Sequence, residues 1–86
     1  MGLQSVELIM CVEDTFAVVL PEAIAGNLVT VGDLHEAVME LLRAKGATMD
    51  PDEVLEQLRA IIVEQLGVRA CEVIPAAGIV DDLGAN

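Results

Sequence analysis

Residues 50–67 read DPDEVLEQLRAIIVEQLG, and the fold is decided here. Asp50 can accept hydrogen bonds from the free amides of a helix start, and Pro51 is tolerated at the first helical position, where no amide is needed. Val54, Leu55, Leu58, Ile61, Ile62 and Leu66 then recur at helical spacing until Gly67 ends the run. Glu53, Glu56, Arg59 and Glu64 fall on the other side and read as a solvated face. The stretch is a long amphipathic helix whose apolar side must be covered by further elements.

Working toward the amino terminus, residues 31–44 predict a second strong helix, with Leu34, Val38, Leu41 and Leu42 inward and Gly46 just past its end. Thr30 followed by Asp33 is close to a capping box at its start. Residues 22–28 contain Gly26 and Asn27 and support at best a short helical turn. From residue 3 to 19 the apolar positions Leu3, Val6, Leu8, Ile9, Met10, Val12, Phe16, Val18 and Val19 mostly keep helical spacing, which predicts a helix ending before Pro21.

Toward the carboxyl terminus the periodicity stops. Pro75, Gly78 and Gly84 argue for a long ordered loop over 68–86, held down by Val73, Ile74, Ile79, Val80 and Leu83. The expectation is an all-α fold: a small four-helix bundle of three long helices and one short, forming a single domain over residues 1–86. The aliphatic composition suits it, since 55% of the chain is hydrophobic and Phe16 is its one aromatic residue.

Charge excludes some functions. Fifteen acids face four Lys and Arg, giving a formal charge of −11, and residues 1–42 hold no Lys or Arg. Such a chain repels nucleic-acid backbones and anionic membranes and attracts basic protein surfaces. Cys11 and Cys71 are too few for a disulfide framework and lack metal-site spacing, so both read as reduced core or near-core thiols. With no apolar run of membrane-spanning length and no basic-then-hydrophobic leader pattern, a cytoplasmic location is expected, and a monomer with it.

Two blocks carry a resemblance. Residues 61–86, IIVEQLGVRACEVIPAAGIVDDLGAN, resemble the first half of an acyl carrier protein, from its first helix through the loop that leads to the family's Asp-Ser-Leu motif. Residues 3–38, LQSVELIMCVEDTFAVVLPEAIAGNLVTVGDLHEAV, resemble its second half, from just after that serine. The halves stand in exchanged order: residues 1–45 look like the family's second half, 50–86 like its first, and 46–49 form a joining turn. Joined end to beginning, DDLGAN runs into LQSVEL, with DDLG, SVEL, Phe16, Pro21 and VGD at the family's mutual spacing. The resemblance therefore implies a circularly permuted carrier-protein-like bundle.

It also implies a function: an acyl-carrier-type, non-enzymatic domain of fatty-acid or polyketide biosynthesis. The family holds 4'-phosphopantetheine on a serine at the start of its second helix, but here Gly2 occupies that position and has no hydroxyl. Asn86 stands where the family usually has Asp, and Ser5, one turn further in, is a weak substitute. No cofactor is therefore expected on this chain. The partners implied are basic patches of acyl-chain biosynthetic enzymes and of a phosphopantetheinyl transferase, which would meet Glu7, Glu13, Asp14 and Glu22. Val6, Ile9, Phe16, Leu28, Leu41 and Ile61 are the candidates for an apolar interior that would open for an acyl chain. His35 has no assignable Ser or Cys partner, so a catalytic triad is not indicated. The alternative is a helical protein-interaction module with the same fold and no carrier role.

Overall fold

A computed structural model describes residues 3–79, 82 and 83, with the side chains of residues 3–5 and 22 left aside. Its elements are helices α1 (Leu3–Phe16), α2 (Glu22–Ala25), α3 (Val31–Ala44) and α4 (Pro51–Leu66), followed by a 3₁₀ turn at Ala70–Glu72. The described residues form no β-strand; the architecture is an all-α bundle of three long helices and one short.

Helix α4 is the spine, packing against both α1 and α3. Its Asp50 carboxylate accepts from the Asp52 amide at 2.8 Å, Pro51 occupies the first turn, and Gly67 closes the helix in the left-handed conformation. Val54, Leu58 and Ile62, one turn apart, are fully buried and meet Leu8, Val12 and Phe16 of α1 and Leu34, Val38 and Leu42 of α3 in one core. Each such side chain stabilises the bundle by about 1.5–3 kcal/mol relative to exposure. The shared aliphatic core explains why so few aromatic residues suffice.

Helix α1 stops at Phe16, short of the expected residue 19. Ala17 takes a left-handed φ of 53°, and the Val18 amide donates back to the Glu13 carbonyl at 3.1 Å, the backward bond of a Schellman ending. Beyond it Val18 and Leu20 are buried while Val19 is 76% exposed. That alternation belongs to an extended segment. Over only a few residues the apolar run Val18–Val19–Leu20 does not distinguish helix from extended chain.

Helix α3 begins with the capping box read from the sequence. Thr30 Oγ1 accepts from the Asp33 amide, and Asp33 Oδ2 accepts from the amides of Thr30 and Val29, each at 3.1 Å. The remaining free amides of that turn are met by the carboxyl-terminal loop: Val31 donates to the Ala77 carbonyl and Gly32 to the Pro75 carbonyl, both at 2.9 Å. Ile79 in turn donates to the Val29 carbonyl at 2.8 Å, so residues 75–79 run antiparallel to 29–32. This approach needs Gly32, because a Cβ there would lie 3.0 Å from the Pro75 oxygen.

The loop is anchored as expected by Val73, Ile79 and Leu83, all buried, whereas Ile74 is 49% exposed. Val80 lies outside the described residues. Two features were not expected from the sequence. The loop contains the 3₁₀ turn, closed by Glu72 accepting from the Arg69 amide, and Cys71 within it is exposed rather than near the core. Between α3 and α4, Gly46 adopts φ 80° and Ala47 donates to the Leu42 carbonyl, ending α3 with a second Schellman bond. The proximity of Met1 and Asn86 that a permuted order would need lies outside the described residues.

Candidate functional site

The exposed side of α1 gathers the features that could contact another protein. Glu7, Met10 and Asp14 sit three and four residues apart, which places them on one strip of the helix. All three are exposed, Met10 at 58%, and Val6 beside Glu7 is 43% exposed. A flexible apolar side chain between two carboxylates is suited to a partner surface that is apolar at its centre and basic at its rim. Sequence periodicity assigned Met10 to the interior. Its position midway between Glu7 and Asp14 was the available signal for the opposite placement.

Glu13 belongs elsewhere. It is only partly exposed, and its Oε2 accepts from the Leu20 amide at 2.7 Å, bridging the left-handed turn at Ala17. Its carboxylate thus holds the chain reversal after α1, in place of the outward position read from the sequence. Lys45 supports the same reversal from α3: its ammonium donates to the carbonyls of Phe16 and Ala17 at 2.9 and 3.0 Å. A cation at these two carbonyls also opposes the negative end of the α1 dipole.

The six apolar candidates for an acyl interior do not line one described cavity. Phe16 is core, Ile9, Leu28, Leu41 and Ile61 are half-buried against it, and Val6 faces solvent, contrary to expectation. Leu41 borders a hollow of about 300 Å³ with Ala17, Val18 and Lys45, while Leu28 lies on an open groove of about 780 Å³ between α2 and α3. The reason is geometric: on a helix packed along one face, residues at the margin of the apolar arc border solvent instead of the centre.

His35 is structural here. Its Nε2 is 2.9 Å from the Pro51 carbonyl, tying α3 to the first turn of α4 as a donor. Cys11 accepts from the Gln65 amide group at 3.1 Å, linking α1 to α4. The Asp33 carboxyl is held below its ordinary value, chiefly by the Thr30 amide and then by that of Val29. A depressed carboxylate favours the folded state at neutral pH, and that contribution is lost as pH falls through the folded-state value. Gly2 and Asn86, which the resemblance sets at the attachment position and beside it, lie outside the described residues, as do the side chains of Ser5 and Glu22.

Among the described residues no cluster of His, Cys, Asp or Glu could hold a metal ion, and no helix is long and apolar enough to cross a membrane. No family model matches the chain, and no solved structure matches it.

Proposed function

We propose that the chain is an acyl-carrier-type domain of fatty-acid or polyketide biosynthesis in circularly permuted order, recognised by basic enzyme surfaces through α1. The exposed strip of Val6, Glu7, Met10 and Asp14 carries this reading, because exposed apolar side chains flanked by two carboxylates fit docking better than they fit a purely solubilising face. The long, short, long run of α1 to α3 supports it too, as does the extended loop following α4. Both are what the exchanged halves of a carrier would give. Gly2 bears no hydroxyl, so the domain works as a recognition partner without a 4'-phosphopantetheine arm of its own. Its role is therefore non-enzymatic, in a cytoplasmic setting.

The test is binding of the purified chain to a ketosynthase and to a phosphopantetheinyl transferase at low and at physiological salt. Binding should be salt-sensitive and should be lost when Glu7→Lys and Asp14→Lys are combined, since reversing rim charges inverts the complementarity that orients docking. Glu13 is left intact because its loss would disturb the α1 ending. Equal binding by parent and double variant would defeat the docking role of α1. Absence of binding by the parent would favour the non-carrier interaction module, a reading that the missing hydroxyl at Gly2 also supports.

A further inference from the structure

The groove between α2 and α3 lies apart from the α1 strip. Ile24 and Leu28 supply apolar surface from the α2 side, while on α3 Ala37 and Met39 border it from opposite flanks of the row that carries Glu36 and Glu40. Glu36 and Glu40 stand exposed along α3 one turn apart, with Arg43 a further turn on. Asp33 also borders the groove, but its carboxylate is engaged by the Thr30 and Val29 amides. His35 is turned to the Pro51 carbonyl. Among the described residues the side chains of Glu36, Glu40 and Arg43 make no hydrogen bond or salt bridge, so two carboxylates stand toward one end and one guanidinium toward the other.

We propose that this groove is a second docking surface, whose occupant is a basic amphipathic helix of a partner protein. Three observations select that occupant. The groove is open along its length, so a small molecule seated there would remain largely in water, whereas pockets for small ligands enclose most of their occupant. An amphipathic helix needs only a trough for its apolar stripe. The apolar lining is aliphatic, with Ile24, Leu28 and the adaptable side chain of Met39, and Glu36 and Glu40 stand exposed along it, where they complement Lys or Arg flanking such a stripe. Arg43 sets the direction: the occupant's basic residues lie toward Glu36 and Glu40, and its less basic end lies over Arg43. The inference does not depend on a carrier role, because α1 takes no part in the groove.

The test uses the full chain and a fluorescent probe peptide of Leu and Lys at amphipathic helical spacing, with a Glu-for-Lys counterpart as control. The Lys peptide should bind and become helical, shifting the backbone resonances of Ile24, Leu28 and Met39; the Glu peptide should not. Combined Glu36→Lys and Glu40→Lys should weaken binding at least about tenfold, a change of roughly 1.4 kcal/mol, while Glu7→Lys with Asp14→Lys leaves the groove shifts in place. Both pairs of residues are exposed, so circular dichroism should report a folded bundle in each variant. The proposal is overturned if the shifts map to α1, if the two double variants lose affinity equally, if the Glu peptide binds as well, or if neither peptide binds.

Discussion

Ala17 is the one residue other than glycine with positive φ among the described residues, and it sits where Gly46 and Gly67 sit at the ends of α3 and α4. For an L-residue this conformation costs about 1–2 kcal/mol, from the crowding of Cβ against the following carbonyl. The chain accepts it because the position is fixed from outside: Glu13 holds Leu20 on one side, and Lys45 holds the Phe16 and Ala17 carbonyls on the other. Ala17→Gly removes the crowding but gives the unfolded chain more freedom, worth about 0.4–1 kcal/mol in the opposite sense. The net expectation is stabilisation by about 0.5–1 kcal/mol, seen as a thermal midpoint a few degrees higher. A lower midpoint for the glycine variant would mean that the left-handed turn is not strained. Gly32 shows the reverse constraint, since the space a side chain would need is taken by the Pro75 carbonyl.

At the scale of elements, the sequence announced the helices whose ends carry their own chemistry. The Asp50–Pro51 start, the Gly67 stop and the Thr30–Asp33 box were legible because each acts within a few residues. The end of α1 was not legible, because its left-handed residue is Ala17 and not a glycine, the run Val18–Val19–Leu20 fits helix or extended chain, and part of its support comes from Lys45, 28 and 29 residues away from the carbonyls it holds. The exposed Met10 and the engaged Glu13 were missed for a related reason: helical period sorts residues by face but does not say how much of a face the neighbours cover. The loop after α4 shows the same limit. Its buried anchors could be guessed from hydrophobicity, but not Arg59, whose Nε donates to the Val73 carbonyl at 3.1 Å while a second guanidinium nitrogen pairs with Glu56. Arg59→Met keeps the apolar stem and removes the donor. It should cost about 1–2 kcal/mol and speed proteolysis across residues 70–79. Arg59→Lys should not restore the parent's resistance, because an ammonium cannot serve carbonyl and carboxylate with the same fixed fork. Unchanged proteolysis in the methionine variant would show that the buried Val73, Ile79 and Leu83 hold the loop unaided.

At the scale of the whole molecule, charge is the dominant feature. The described bundle measures 32 × 26 × 20 Å and the chain carries a formal charge of −11. At 0.01 M salt the screening length is about 30 Å, so each carboxylate senses the others across the entire fold; at 0.15 M it is about 8 Å and only neighbours interact. Little local pairing offsets this, for Arg59–Glu56 is the one salt bridge among the described residues and Lys45 is directed at carbonyls. Unfolding spreads the charges apart, so repulsion acts against the compact state. Raising sodium chloride from about 0.01 to 0.15 M should therefore stabilise the bundle by about 1 kcal/mol, lifting the thermal midpoint by roughly 4–8 °C for a domain of this size. Glu53→Gln with Glu64→Gln, both exposed on α4, should flatten that dependence. A midpoint that stays level or falls with salt would show that local contacts outweigh the long-range field. The sign also bears on docking. Screening weakens attraction between this acidic surface and a basic partner while it strengthens the fold, so a loss of partner binding over the same salt range reports the interface and not an unfolding of the chain.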